Sequence, residues 1–142
     1  MIRTVYDACV LYPASLRDFL LSLAAHELNM PFWSEEIQNE WVRNLLEDRP
    51  DLKPENLERT CRTMNARFPD SLVRGYESIT PTLWLPDPKD RHVLAVAIHV
   101  KAELIITCNL RDFPTASLLP FGIEALPPDE FVWRLIERAM SL

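Results

Sequence analysis

The chain of 142 residues contains only two glycines, Gly75 and Gly122. This scarcity excludes the dinucleotide-binding fingerprint and the P-loop, because each needs several glycines at fixed spacing. The three cysteines lie far apart and form no C-x-x-C pair. Neither a disulfide framework nor a cysteine-based zinc site is therefore indicated, and we expect all three thiols to be reduced.

Long hydrophobic runs are also missing. No apolar stretch approaches the ~18 residues of a membrane span, and the amino terminus lacks the apolar core and cleavage site of a signal peptide, so we expect a cytoplasmic protein with no membrane contact. The length is that of one domain, so residues 1–142 are expected to form a single domain. The net charge of −6 argues against coating of duplex DNA, but it is compatible with a nucleic-acid enzyme whose metal ions supply positive charge.

Short apolar strands alternate with longer amphipathic helices along the chain. The pattern predicts strands over 2–6, 82–85 and 104–106, with a last edge strand over 122–126. Ser15 and Ser34 are expected to cap the two helices that follow them. This order of elements is typical of an α/β sandwich around a small, mostly parallel sheet, with more helix than strand.

Acidic and amide side chains follow the predicted strands. Asp7 ends the first strand, and Asn109 and Asp112 follow the strand near residue 104. Asp87 is a suitable N-cap for the next apolar helix, with Asp90 at its third position. Because the carboxyl ends of parallel strands share one edge of a sheet, we expect these side chains to meet there.

A fourth acidic group comes from the helix after Ser34. Ile37 and Trp41 form its buried stripe, and Glu36 and Glu40 lie on a neighbouring polar face. Most charges on that face are expected to be solvated. Glu40 is the one that we expect to reach the sheet edge.

Carboxylates crowded at one edge repel each other unless a cation neutralises them. Oxygen ligands favour hard divalent cations, so Mg²⁺ or Mn²⁺ fits best. The histidines His26, His92 and His99 have no spacing typical of metal ligands and are predicted to be ordinary helix residues. The simpler alternative is that Asp87 and Asp90 only cap a helix and complement its dipole.

Three arginines, Arg59, Arg62 and Arg67, follow Pro54 on a further predicted helix. They form either a solvated helix face or a surface that contacts phosphate, since the guanidinium group suits phosphate geometry.

Four stretches together resemble the PIN-domain ribonucleases, and in particular the VapC-type toxins of bacterial toxin–antitoxin systems. They are Asp7 after the first strand, Glu40 in its tryptophan-containing helix, the segment LPDPKDRH over 85–92, and the segment ITCNLRDFP over 106–114. The resemblance extends over nearly the whole chain. It implies a three-layer α/β sandwich and a Mg²⁺- or Mn²⁺-dependent endoribonuclease.

The resemblance also assigns residues. It implies that Asp7, Glu40 and Asp90 are three members of a catalytic acidic quartet, and that Asn109 or Asp112 is the fourth. Asp7, Asp90 and Asp112 are the expected metal ligands. Supporting polar groups next to them are expected to be Thr107, Glu36 and Asp87. The expected partners are unpaired RNA as substrate, a small antitoxin protein and a second copy of the chain.

Two other functions compete with this interpretation. A phosphoacceptor receiver domain also has an aspartate at a strand end, but it needs an acidic pair there and a lysine after the last strand, whereas Asp7 stands alone and no lysine follows Ile123. The second is a PIN-fold module that binds RNA or protein without turnover. Asn109, in place of an acid, favours that alternative.

Overall fold

The computed structural model describes residues 1–141, and its centre is a five-stranded sheet in the order β3-β2-β1-β4-β5. All four pairings are parallel. The strands are β1 Ile2–Tyr6, β2 Asn29–Ser34, β3 Leu72–Val73, β4 Leu104–Ile106 and β5 Glu124–Leu126. The predicted α/β sandwich is confirmed, with a sheet that is entirely parallel.

Seven α-helices connect and cover these strands. They are α1 Ala8–Leu11, α2 Ala14–Ala25, α3 Glu35–Asp48, α4 Pro54–Arg67, α5 Arg91–His99, α6 Thr115–Leu118 and α7 Pro128–Met140. Helices α2 and α3 contact β2, and α5 contacts both β1 and β4. No helix among residues 1–141 combines the length and the hydrophobicity needed to cross a membrane.

The central strand β1 and helix α5 are largely buried. Strand β1 is buried at four of its five positions, which is typical of a strand covered on both faces. Helix α5 buries six consecutive residues, from His92 to Ala97, so it lies against the sheet and not at the surface. Apolar positions thus bring α5 directly against β1 and β4.

Aromatic side chains fill the core between the sheet and its helices. Trp33 and Trp41 are fully buried. The ring of Tyr6 lies 6.4 Å from both Trp33 and Phe131, between centroids. Its hydroxyl accepts a 2.7 Å hydrogen bond from Asn29 Nδ2, so the polar end of a buried aromatic residue is satisfied.

Two local predictions are wrong. Residues 82–85 form no strand: a 3-10 helix, Thr80–Thr82, leads into a loop in which Leu83 and Leu85 are buried by packing. Pro81 and Pro86 on either side have no N–H to donate to a ladder, which opposes strand pairing. Ser15 is not a cap either, because α2 begins one residue earlier, after the extended Pro13.

The strand order determines where a functional site can form. Strands β1, β2 and β3 are added in one direction, and the chain then crosses to the opposite side of β1 to form β4 and β5. The carboxyl ends of β1 and β4 therefore border the point where the connections reverse. A crevice at such a switch point is the usual ligand site of an open parallel sheet.

The two serine predictions can be tested as a matched pair. Ser34 Oγ accepts a 3.1 Å hydrogen bond from the Ile37 amide and is buried, so Ser34→Ala should lower the free energy of unfolding by about 1 kcal/mol. Ser15→Ala removes an exposed hydroxyl that caps nothing and should be close to neutral. Urea denaturation of both variants measures the difference, and equal losses would contradict the assigned caps.

Candidate active site

Asp7 is the most constrained acid at the carboxyl edge. It follows β1 directly, and its amide donates to the Ile106 carbonyl of β4 at 3.0 Å. Its two carboxylate oxygens accept separate 2.8 Å hydrogen bonds, from the Ala8 amide and from Thr107 Oγ1. Burial raises the pKa of Asp7, these two hydrogen bonds lower it, and the charge of Glu40 raises it further, with a net increase. Asp7 is thus a buried carboxylate held in one orientation.

Thr107 and Cys9 surround Asp7. Thr107 is fully buried at the end of β4, and its Oγ1 also accepts from the Asn109 amide at 3.0 Å. Cys9 Sγ lies 3.7 Å from Asp7 Oδ2 and accepts a hydrogen bond from the Cys108 amide. Burial and the Asp7 charge raise the pKa of the Cys9 thiol, so this side of the site is lined by a neutral thiol.

Asp90 reaches the edge from the start of α5, although not as a capping residue. Asp87 Oδ1 accepts from the Lys89 amide and begins a 3-10 helix, Pro88–Asp90, before α5 starts at Arg91. The predicted cap at Asp87, with Pro88 at the first helical position and Asp90 at the third, is therefore confirmed, although this first turn is a 3-10 turn that precedes α5. The Asp90 side chain itself makes no cap hydrogen bond.

The carboxyl of Asp90 is free of helix capping and lies among other acids. Burial raises its pKa to about 7, together with the negative charges of its acidic neighbours, which in decreasing order are Asp7, Asp112, Asp87 and Glu40. A carboxyl that is protonated near neutral pH marks a local excess of negative charge. The negative charges of acids from separate parts of the chain therefore all act on the Asp90 carboxyl.

Glu40 and His92 form an ion pair across the site. Glu40 projects from α3, and its Oε1 lies 3.6 Å from His92 Nε2 in the first turn of α5. Burial alone lowers the pKa of His92, but the pairing with Glu40 and the charges of Glu36 and Asp7 raise it overall. No described residue hydrogen-bonds the buried His92 Nδ1. His92 is therefore a titratable neighbour of the acids as well as a residue of α5.

Asn109 and Asp112 lie on the loop after β4, but in different surroundings. Asp112 ends the 3-10 helix Leu110–Asp112 and is half-buried, close enough to raise the pKa of Asp90. Asn109 is exposed and lines a cavity of about 430 Å³ together with Glu40. Asp112 thus faces Asp90, whereas Asn109 borders the cleft between α1 and α3.

The two remaining predicted groups are further from the centre. Glu36 Oε1 accepts a 2.5 Å hydrogen bond from the buried Tyr76 hydroxyl, and it acts on the site through its charge on His92. Asp87 is occupied by the Lys89 amide but contributes charge to Asp90. The arginines of α4 are elsewhere: Arg59 and Arg67 line a groove of about 470 Å³ against α2, and Arg62 faces another.

The donor set fits a hard divalent cation in its chemistry. Asp7, Asp112 and Glu40 lie close enough to Asp90 for their charges to raise its pKa, and carboxylate oxygens are the preferred ligands of Mg²⁺. Within residues 1–141, no three His, Cys, Asp or Glu side chains are already positioned to hold a metal ion. The raised pKa of Asp90 is the observation that favours a cation there, because a cation removes the repulsion that causes it.

Sequence reasoning missed His92 and Cys9 as members of this site. His92 is the one titratable residue in the buried stretch from His92 to Ala97, and that contrast with an apolar helix was the available signal. Cys9 follows Asp7 by two residues, but its contact with Thr107 joins positions 98 apart in the chain. No local pattern encodes that contact.

Comparisons with known proteins agree with the geometry. A family model described as PIN domain matches residues 3–111. A curated relative from Mycobacterium tuberculosis (strain ATCC 25618 / H37Rv), named "Putative ribonuclease VapC50", is 54% identical over 44 residues. That segment covers 31% of this chain and 26% of the relative, so the match spans about a quarter of the relative's length. No solved structure matches the chain.

The charge at Asp90 should be visible in the pH dependence of stability. Because its folded pKa is about 7, above the ordinary value for aspartate, this group contributes stability at low pH that is lost as pH rises from about 4 to about 7. In EDTA, Asp90→Asn should therefore be more stable than wild type by about 1 kcal/mol at pH 8, after allowance for solvent screening. The difference should shrink towards pH 4.

Urea denaturation at several pH values measures this effect. Asp70→Asn removes the same charge at an exposed position outside the acid cluster and should stay within about 0.5 kcal/mol of wild type throughout. A pH-independent difference for Asp90→Asn would show that Asp90 does not titrate among the other acids.

Proposed function

The chain belongs to the PIN domain family, and from this membership we propose that it is a metal-dependent endoribonuclease, the toxin of a toxin–antitoxin pair. The observation that carries the proposal is the buried carboxylate of Asp7, held by 2.8 Å hydrogen bonds from the Ala8 amide and from Thr107 Oγ1, beside the Asp90 carboxyl, whose pKa is raised by burial and by surrounding acids. A site that concentrates negative charge in this way is suited to a divalent cation and, through it, to a phosphodiester. The relative named as a ribonuclease supports the reaction class.

Asp7, Asp90 and Asp112 would hold the cation, which is Mg²⁺ or Mn²⁺. Such an ion, when bound, lowers the pKa of a coordinated water and stabilises negative charge on phosphate oxygens. Thr107 keeps Asp7 in its ligating orientation through the 2.8 Å hydrogen bond. Asn109 is the alternative to Asp112, since its amide oxygen can also ligate but adds no negative charge.

Glu40 would orient the attacking water and accept its proton. Its Oε1 faces His92 at 3.6 Å, and this leaves Oε2 available for the water. The partly exposed side chain of Glu40, with 28% of its surface accessible, keeps contact with solvent from which the water comes. His92 thus acts as a positioning residue for Glu40.

The proposed substrate is RNA whose bases are unpaired. A duplex would keep the phosphodiester away from carboxylates at the bottom of a sheet-edge crevice, whereas single strands and loops can bend into it. The same resemblance to VapC-type toxins supports a cytoplasmic protein, a small antitoxin that blocks the acidic crevice, and a homodimer.

A PIN-fold module that binds RNA or protein without cutting it is the second candidate. Asn109, exposed and neutral where an acid is expected, favours it, because a site with fewer charges holds metal less tightly. The two candidates differ in turnover, and the two experiments below distinguish them.

Metal binding should raise the melting temperature of the wild-type protein. At a concentration 100 times its dissociation constant, a ligand of the folded state adds about 2.7 kcal/mol of stability, which is several degrees for a chain of this size. Asp90→Asn should abolish the gain from Mn²⁺, whereas Asp70→Asn should keep it. Loss of the gain in Asp112→Asn but not in Asn109→Ala would identify Asp112 as a ligand, and the reverse would identify Asn109.

Cleavage of a mixed RNA pool tests the activity itself. Asp7→Asn retains a good helix cap and the size of the side chain, but it removes a ligand charge, so cleavage in Mn²⁺ should fall by about 100-fold or more. Its affinity for uncut RNA should stay near that of wild type. If the wild-type protein binds RNA but leaves it intact at every Mg²⁺ and Mn²⁺ concentration, the proposed enzymatic activity is wrong. That result would support the module that binds without cutting.

A further inference from the structure

An exposed tryptophan, Trp84, precedes the chain segment that carries Asp87 and Asp90. The side chain of Trp84 is 70% exposed, while its neighbours Leu83 and Leu85 are 8% and 2% exposed. Burial of the two leucines anchors the loop on both sides and turns the indole outwards. The core aromatic residues Trp33 and Trp41 show no exposure, so the position of Trp84 is not a consequence of a loosely packed core.

Trp84 is also close to the site along the chain. It precedes Asp87 by three residues, which places the two Cα atoms within about 11 Å of each other. The carbonyl of Asp87 in turn accepts a 3.1 Å hydrogen bond from the Asp90 amide. An exposed aromatic side chain, anchored by its two buried neighbours, therefore belongs to the same segment of chain as Asp87 and Asp90.

Positive charges alternate with the acids on the two segments that carry Asp90 and Asp112. Lys89 and Arg111 are exposed and Arg91 is half-buried, and they alternate with the acids: Lys89 and Arg91 flank Asp90, and Arg111 precedes Asp112. None of the three forms a salt bridge with another residue in the range 1–141. Cations without acidic partners, next to an acidic centre, are available to bind phosphates on either side of a scissile bond.

The cleft between α1 and α3 has the reverse charge. It is lined by Glu40, Glu47 and Asp48, and no lysine or arginine is among the described residues that line it. A polyanion is repelled by this acidic cleft and attracted to the segments that carry Lys89 and Arg111. The charges next to the acid cluster therefore favour a strand that follows Lys89 and Arg111 and avoids the cleft.

We propose that the RNA strand crosses the site on the side of Trp84, which stacks on an unpaired base beside the cleaved phosphate, while Lys89 and Arg111 bind the adjoining phosphates. The proposal rests on the proposed ribonuclease function and adds the path of the substrate. An aromatic platform combined with cations is the general means by which proteins hold single-stranded nucleic acid, and every base can stack on it. Stacking on Trp84 would make unpaired bases a requirement for binding.

The first test measures affinity for a fluorescein-labelled oligouridylate by anisotropy, in an Asp7→Asn background that prevents cleavage. Trp84→Ala should weaken binding by roughly tenfold, and Trp84→Phe should restore most of the affinity because it keeps an aromatic ring. Trp133→Ala is the matched control, since Trp133 is 62% exposed on α7, outside the acid cluster. Equal affinity of Trp84→Ala and Trp133→Ala, or no rescue by phenylalanine, would overturn the stacking role.

A second measurement follows the indole directly. In Trp133→Phe the only strongly exposed tryptophan among residues 1–141 is Trp84, so the oligouridylate should quench its fluorescence and protect it from acrylamide. If anisotropy shows binding but the fluorescence of Trp84 is not quenched, the strand binds elsewhere and the proposal is contradicted.

The salt dependence of binding tests the phosphate contacts. Each of Lys89→Gln and Arg111→Gln should reduce the slope of log affinity against log salt concentration by about 0.7. Glu47→Gln changes the charge by one unit in the acidic cleft between α1 and α3 and should leave the slope unchanged. Slopes that are unaffected by both cation variants would overturn the assigned path.

Failure of this proposal can be distinguished from failure of the proposed function. If wild-type protein cuts the RNA pool but Trp84→Ala binds and cuts as well as Trp133→Ala, the path is wrong and the ribonuclease function stands. If no RNA is cut while the oligouridylate still quenches Trp84, the path stands and the enzymatic function is wrong.

Discussion

The buried carboxylate of Asp7 is the constraint on which the rest of this site depends. Its amide continues the ladder between β1 and β4, and its oxygens are held by Ala8 and Thr107. A carboxylate that is 4% exposed tolerates burial only with such partners. Because one of these partners follows β4, the position of Asp7 also determines the position of the loop that carries Asn109 and Asp112.

Electrostatic repulsion is the second property of the site. Helix α5 packs against β1 and β4 through its apolar residues, and this packing forces Asp90 towards Asp7. The hydrophobic contacts of the core thus hold together acids that would otherwise separate. His92 offsets part of the charge through its ion pair with Glu40, and the raised pKa of Asp90 shows that a large part remains.

Individual predictions succeeded where the determining interaction is local. The cap at Ser34 depends on an amide three residues away, and the strand at Ile2–Tyr6 depends on its own run of apolar residues. Predictions failed where a neighbour in space decides the structure. Residues 82–85 have the apolar character of a strand but pack Leu83 and Leu85 into the core without a pairing partner.

Local patterns in the sequence are enough to predict the α/β class, a mostly parallel sheet and the positions of Asp7, Asp90 and Asp112 after strands or at a helix start, because apolar periodicity and helix signals act over a few residues. Strands β2 and β3 and the environment shared by the site side chains depend on the packing of the whole fold. Cys9 contacts Thr107, and Glu40 contacts His92, across separate elements. Such contacts form when distant helices and strands pack together, and no short stretch of chain encodes that packing alone.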